Sequence, residues 1–104
     1  MVTTAFELPE HQIKENLGIA KGISVRSVGW LGGIIAGFQS LRKGNVSTFT
    51  RLCEAARKEA LELLLAEAEA LGANAVIGVR YDTNEMGAIA EVFAYGTAVV
   101  VTKK

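Results

Sequence analysis

The sequence predicts an α+β domain in which an antiparallel sheet packs against one long helix and one short helix. Three observations support this prediction. Helix-forming residues run between two capping positions over residues 47–72. Apolar and polar residues alternate over residues 12–28, as in a strand with one buried face. Two further apolar runs, residues 74–82 and 88–102, are separated by a short polar turn, which is typical of a hairpin.

The N-terminal part of the chain predicts strands before any helix. The stretch VTTAF is compatible with a short strand, which Pro9 would stop because proline has no N–H to donate. In residues 12–28, Gly18 and Gly22 interrupt the alternation, as glycines do at a bulge or a bend. Two structures therefore stay open for this stretch, one long bent strand and a tight hairpin.

A glycine-rich stretch, WLGGIIAGFQSLRKGN, follows this strand region. Its large apolar residues recur at helical spacing: Trp30, Ile34, Phe38 and Leu41. Glycines within it each cost about 1 kcal/mol relative to alanine in a helix. We therefore predict a short helix that depends on packing and that ends at Gly44.

Residues 47–72 predict the longest element, an α-helix. Ser47 is a suitable N-cap, and Gly72 stands where a left-handed C-terminal cap is expected. At about 100° per residue most apolar side chains fall on one stripe. We expect that stripe to face the core: Phe49, Leu52, Cys53, Ala56, Ala60, Leu63, Leu64 and Leu71. A second apolar patch lies off the stripe: Leu61, Leu65 and Ala68. A helix that is apolar on two sides usually has two neighbours.

The last two strands are predicted to pair as a hairpin, with the polar stretch 83–87 as the loop between them. In the register that we expect, Asp82 pairs with Ile89. This register places Arg80 beside Glu91 as a cross-strand neighbour.

Both faces of this hairpin are apolar. One carries small and branched side chains that a helix can approach: Ile77, Val79, Tyr81, Ala90, Val92, Ala94, Gly96 and Ala98. The opposite face includes Phe93 and Tyr95, although a sheet face that meets solvent would be polar. We therefore expect both faces to be covered. One chain has too few helices for that, so other copies of the chain are expected to contribute.

Length and composition exclude several classes of protein. With 104 residues and 11.1 kDa, the chain has the size of one domain, here residues 1–104. Eleven basic and eleven acidic residues cancel, which argues against nucleic-acid or anionic-membrane partners. The N-terminus lacks the pattern of a signal peptide. No stretch approaches the roughly 20 apolar residues of a membrane span. The single cysteine cannot form an intrachain disulfide. A cytoplasmic location is the resulting expectation.

Three motifs in the right order carry a family resemblance. The stretches LGIAKGISV, LGANAVIGVRYD and YGTAVVV together resemble the YbjQ family of small bacterial and archaeal proteins, over nearly the whole chain. Members of that family are described as putative heavy-metal-binding proteins, and their activity is not established. The resemblance implies a fold akin to the dodecin subunit, assembled into a homo-oligomeric, pentameric ring.

The metal function implied by the resemblance finds few ligands in the sequence. A structural zinc site needs four Cys, His or carboxylate ligands. The chain has one histidine, His11, and one cysteine, Cys53, and it contains no CxxC or HxxxH motif. His11 and Cys53 are therefore the only His and Cys metal candidates. We expect Cys53 to be a packing residue instead, because it lies on the core stripe of the long helix.

The remaining candidates belong to a ligand pocket rather than to a catalytic site. The aromatic and charged residues that could hold a flat ligand are Trp30, Arg80, Glu91, Phe93 and Tyr95. No phosphate-binding loop and no Ser–His–Asp set is present in the sequence. The sequence thus predicts a non-catalytic homo-oligomer, not an enzyme, with a metal ion or an oxyanion as candidate ligand. The alternative is a binding or storage protein for a flat aromatic molecule held between subunits.

Overall fold

A computed structural model describes residues 1–27, 46–86 and 89–104. The elements follow one another in the order β1 (His11–Ser27), α1 (Val46–Ala70), β2 (Ala75–Met86) and β3 (Ile89–Lys103). The three strands form one antiparallel sheet in the order β1-β3-β2, and α1 packs on one face of it. The predicted α+β class is thereby confirmed, whereas the predicted short helix around Trp30 lies outside the described residues.

β1 is a single strand of 17 residues, so the hairpin alternative for this stretch was wrong. Its pairing with β3 shifts at two places, between Ile13 and Glu15 and between Asn16 and Gly18. Gly18 has a φ of 97°, and its N–H donates to the Asn16 side-chain oxygen at 2.9 Å. The predicted irregularity at Gly18 is therefore confirmed. Gly22 has another role, because it pairs regularly with Ala94 and lies directly under α1.

The C-terminal end of α1 has the predicted left-handed cap. Gly72 has a φ of 91°, its N–H donates to the Glu69 carbonyl at 2.9 Å, and the Ala73 N–H donates to the Ala68 carbonyl at 3.0 Å. These two bonds form a Schellman motif, which satisfies carbonyls that the helix end would leave unpaired. At the other end, α1 begins at Val46, so Ser47 lies within the helix instead of preceding it.

The buried line of α1 is narrower than the predicted stripe. Its fully buried residues recur every four positions: Leu52, Ala56, Ala60, Leu64 and Ala68. Leu63 and Leu71 are 44% and 43% exposed, and Cys53 is only half-buried, so their predicted core positions were wrong. Ala68, which was assigned to the second patch, belongs to the core. The reason is the small-residue surface of Ala20, Gly22 and Ala94, which α1 approaches so closely that only one line of its side chains fits.

The hairpin register differs from the prediction by four residues. Asp82 pairs with Phe93, and Arg80 pairs with Tyr95, so Arg80 is not beside Glu91. β2 continues to Met86, which pairs with Ile89, so the predicted loop 83–87 was also wrong. Because the observed and predicted registers differ by an even number of residues, each β3 side chain still lies on the face predicted for it. Val92 accordingly lies in the core against α1, as predicted.

A β-bulge at Gly78 interrupts the alternation of the β2 side chains between the two faces of the sheet. Ile77 pairs with Thr97 and Arg80 pairs with Tyr95, so β2 has one residue more than β3 over this step. Gly78 has a φ of 61°, which accommodates the extra residue. Val76 and Val79 both pack towards α1, whereas Ile77 packs on the opposite face. The prediction that Ile77 faces the helix was therefore wrong.

The N-terminal segment covers the outer edge of β2 and part of the second face. Val76 donates to the Met1 carbonyl at 2.9 Å, Gly78 donates to Ala5 at 2.8 Å, and Val79 donates to Thr3 at 3.1 Å. Of the predicted VTTAF strand, only an isolated bridge from Val2 to Val76 forms. Further along, Leu8 packs on a second small cluster of Ala75, Ile77, Val99 and Val101. This end of the second face is thus covered, at least in part, by the N-terminal segment of the same chain.

Candidate functional site

The other end of the second sheet face is an open apolar surface on β1 and β3. Its side chains are exposed by 38–73%: Ile19, Ile23, Val25, Ile89 and Tyr95. Phe93 lies half-buried among them, where it pairs with Ile23 on one side and Asp82 on the other. We call these six residues the open face. Exposed apolar surface of this kind usually marks a site of interaction.

An aromatic pair lies at the centre of the open face. The rings of Phe93 and Tyr95 are 5.4 Å apart between centroids and tilted by 38°. Tyr95 pairs with Lys21 on β1 and with Arg80 on β2, so it lies between two cations. The structure thus brings Arg80, Phe93 and Tyr95 onto one face, as the ligand-pocket prediction requires.

Arg80 itself is already engaged within the chain. Its guanidinium donates to the carbonyls of Thr4 at 2.9 Å and Val79 at 2.8 Å, and its central carbon is 5.1 Å from the centre of the Phe6 ring. These contacts hold the N-terminal segment against β2. Glu91 lies further along the same face, beside Val25 and Asn84, and Trp30 lies outside the described residues.

A polar network that the sequence analysis missed fixes α1 over β1. The Ser24 hydroxyl donates to one oxygen of the Glu59 carboxylate at 2.9 Å, and the Arg26 guanidinium pairs with the other oxygen. Ser24 is only 1% exposed. A signal was present, since Ser24 and Arg26 lie on the same parity of β1 as the buried Ala20. Glu59 cannot be assigned to them from sequence alone, because 33 or more residues separate the partners.

A groove of about 500 Å³ runs beside α1 on the side of β2. α1 lies mainly over β1 and β3, so it leaves the Tyr81 side of β2 uncovered by any helix that the structure describes. Ala55, Lys58 and Leu61 form the helix wall of the groove, and Tyr81 forms its floor. Leu65, one turn beyond Leu61, is 37% exposed. The predicted second apolar patch of the helix is thus present here without Ala68.

The two metal candidates lie at opposite ends of the molecule. His11 begins β1, where it pairs with Lys103, whereas Cys53 lies on α1 six residues before Glu59, which contacts Arg26 near the end of β1. Among the His, Cys, Asp and Glu side chains that the structure describes, no three lie close enough to hold a metal ion together. Residues 28–45 and 87–88 contain none of these four residue types. The described part of one chain therefore forms no multi-ligand metal site.

The chain is elongated for its length. Its dimensions are 54 × 23 × 18 Å, and its radius of gyration is 16.8 Å. A compact domain of about this length has a radius of gyration near 13 Å. The long strands, with an apolar face only partly covered, account for this shape. No helix in the described parts of the chain is long and apolar enough to cross a membrane.

Comparison with a solved structure supports this fold. The chain is similar to a protein of unknown function from Pediococcus pentosaceus that belongs to the DUF74 family, with a TM-score of 0.61. The match covers 98% of this chain and 97% of that one, at 20% sequence identity. At this identity the likeness concerns the fold alone.

Sequence comparisons identify close relatives. The chain is 54% identical over 100 residues to a UPF0145 protein of Paraburkholderia phymatum, covering 95% of this chain and 90% of the relative. It is 52% identical over 100 residues to a UPF0145 protein of Chromobacterium violaceum, covering 95% and 86% of the two chains. A family model described as "Putative heavy-metal-binding" matches residues 1–102. With matches across nearly its whole length, the chain belongs to the YbjQ family, the UPF0145 proteins.

Proposed function

We propose that this protein is a non-catalytic homo-oligomer of the YbjQ type, assembled as a ring of five copies. The observation that carries the proposal is the open face, an apolar surface on an elongated subunit. Each Å² of apolar surface removed from water contributes about 25 cal/mol, and a stable interface buries about 800 Å² per partner. The same surface left in water would promote non-specific association.

Within this oligomer, a metal ion or an oxyanion is the candidate ligand. It would be held by residues repeated from copy to copy, because the described part of one chain brings no three candidate ligands together. Each chain has one histidine and one cysteine. The metal binding named in the family description would therefore need a site that several copies share. His11 lies at the end of the sheet and Cys53 lies on α1, and both residues are half-buried.

A second candidate ligand is a flat aromatic molecule between subunits. The aromatic pair Phe93 and Tyr95 favours it, since stacked rings bind planar molecules and Tyr95 lies between Lys21 and Arg80. A retained organic mass in native mass spectrometry, lost in Tyr95→Ala with the oligomer intact, would support this candidate. Inductively coupled plasma measurement of metals on the same sample separates it from the metal candidate.

Assembly is tested first by mass. We expect native mass spectrometry and light scattering to give five times the 11.1 kDa subunit mass for the unaltered protein. Ile23→Lys should shift the protein towards monomer, because it places a charge in the centre of the open face. Leu71→Lys is the matched control, since Leu71 is also apolar and 43% exposed but lies at the end of α1. A monomer of the unaltered protein at micromolar concentration would contradict the proposal.

The metal content of variants distinguishes between His11 and Cys53 as the metal ligand. We expect Cys53→Ala to leave the bound metal per subunit unchanged and to lower the free energy of unfolding by about 1 kcal/mol, a modest truncation. His11→Ala should lower metal content if a shared site at the end of the sheet holds the ion. Stoichiometric zinc or copper that disappears in Cys53→Ala and persists in His11→Ala would overturn this assignment.

A further inference from the structure

We propose that the outer edge of β2 is a peptide-binding edge. The N-terminal segment, residues 1–6, occupies it within the chain, and an extended segment of a partner protein with an aromatic side chain takes the same position when the N-terminal segment leaves. The inference goes beyond the proposed oligomer and does not depend on the number of copies. A sheet edge recognises a peptide through main-chain hydrogen bonds, and sites for the peptide side chains supply specificity.

The N-terminal segment is bound to β2 in the way that an added strand is bound. The bridge between Val2 and Val76 is parallel. Val76 donates to the Met1 carbonyl at 2.9 Å and accepts from the Thr3 N–H at 3.0 Å, so it bonds the two residues that flank Val2. This is the hydrogen-bond pattern of a parallel pair. Because these bonds join main-chain atoms, the edge accepts an extended segment of another sequence equally well.

The bulge of β2 provides a site for an aromatic ring beside this edge. A Cβ added at Gly78 would be 2.8 Å from the nearest atom of the Phe6 ring, so the missing side chain leaves the space in which the ring lies. The central carbon of the Arg80 guanidinium is 5.1 Å from the centre of the same ring, and the guanidinium donates to the Thr4 carbonyl at 2.9 Å. A cation at this distance attracts an aromatic ring. Gly78 and Arg80 together therefore favour an aromatic side chain.

The N-terminal segment buries little apolar surface while it occupies the edge. Met1, Val2 and Phe6 are 58%, 42% and 68% exposed. The hydrogen bond from Arg80 to Thr4 is exposed as well. Segments with few buried apolar contacts and solvent-exposed hydrogen bonds open locally, at a free energy well below that of global unfolding. We therefore expect the segment to leave β2 while the sheet and α1 stay folded.

The partner segment that fits this edge has a defined chemistry. Its main chain is extended where it pairs with Val76. Its aromatic residue follows, by three positions, the residue whose N–H bonds the Val76 carbonyl, as Phe6 follows Thr3. Because the N-terminal segment competes for the same edge, it lowers the apparent affinity for the partner in proportion to the fraction of molecules whose edge is open. The N-terminal segment is thus an autoinhibitory ligand of its own chain.

Hydrogen exchange of the unaltered protein tests the local opening. The N–H groups of Val76, Gly78 and Val79 are bonded to the N-terminal segment, whereas Ile77 and Arg80 pair with β3. We expect the first three amides to exchange at least about tenfold faster than the other two, because release of the segment does not require the sheet to unfold. Equal protection of the two groups would overturn the proposal, since the edge would then open only with the whole sheet.

Binding of a separate peptide tests the competition. The probe is a synthetic peptide with the sequence of residues 1–8 and a fluorescein label at its C-terminus, and its anisotropy is measured against the full chain. In the protein, Thr3→Pro removes the N–H that donates to Val76, whereas Thr3→Val keeps it, and both variants lose the hydroxyl. We expect Thr3→Pro to bind the peptide at least about fivefold more tightly than Thr3→Val. Equal affinities, or no binding to either variant, would contradict the proposal.

A second peptide, with Phe6→Ala, tests the site for the aromatic ring. We expect it to bind the Thr3→Pro protein about threefold more weakly than the first peptide, because it cannot contact the Arg80 guanidinium. This difference should disappear when Arg80→Gln is added to the protein. Two peptides that bind equally well to the Thr3→Pro protein would overturn the aromatic partner. Binding that leaves the amide NMR signals of Val76 and Gly78 unchanged would also overturn the proposal, since the peptide would then lie elsewhere.

Discussion

Gly22→Ala is expected to lower the free energy of unfolding by more than about 3 kcal/mol, the largest effect of a methyl group added at any glycine that the structure describes. Gly22 lies under α1 with no space for a side chain. A Cβ there would be 2.6 Å from the backbone nitrogen of Leu64 and closer still to the carbonyl oxygen of Ala60. Both atoms belong to the helix backbone, so no side chain can rotate away. The helix would have to lift from β1, and the Ser24–Glu59 hydrogen bond would lengthen with it.

Gly18→Ala is the matched control for Gly22→Ala. Gly18 has a φ of 97°, which costs an L-residue energy, but no atom lies within 4 Å of the position of its added Cβ. We expect a loss of about 1 kcal/mol for this variant. Urea unfolding of both variants at one protein concentration gives the comparison, since assembly makes stability depend on concentration. Equal losses in the two variants would show that α1 does not rest on Gly22.

Gly78→Val should lower the free energy of unfolding by about 2–3 kcal/mol, because it places a β-branched residue in the left-handed region. Gly78 has a φ of 61°, and an added Cβ would also be 2.8 Å from the Phe6 ring. The ring is the end of a movable side chain, so most of the cost should come from the backbone. Straightening the bulge would relieve it only by turning Val76 or Val79 out of the core.

Gly78→Asn isolates the backbone contribution. Asparagine tolerates the left-handed conformation better than valine, while both have a Cβ near Phe6. We expect Gly78→Asn to cost about 1 kcal/mol less than Gly78→Val in the same urea experiment. Combining Phe6→Ala with each variant should restore the smaller part of the lost unfolding free energy, which comes from the steric contact with the Phe6 ring. If asparagine and valine cost the same, the φ of residue 78 is not what limits the substitution.

The elements with strong local signals could be predicted from the sequence. The helix-forming run and Gly72 located the end of α1, because a left-handed cap is a local backbone requirement. Alternation with a period of two assigned the faces of β3, and Val92 lies in the core as expected. The candidate ligand residues Arg80, Phe93 and Tyr95 likewise share one face. Each of these features depends on residues that are close together in the chain.

The hairpin register and the covering of the second face depended on the tertiary structure. A shift of four residues leaves every side chain of β3 on the same face, so the apolar pattern is equally compatible with Asp82 opposite Ile89 and opposite Phe93. The bulge at Gly78 could not be predicted from the sequence, because a glycine also occurs within regular strands. Leu8 covers Ile77 and Val99 although it is far from both in the chain. The apolar pattern indicates which residues are buried. Several strand registers match that pattern equally well, and the choice among them depends on contacts between distant segments, which form only in the folded chain.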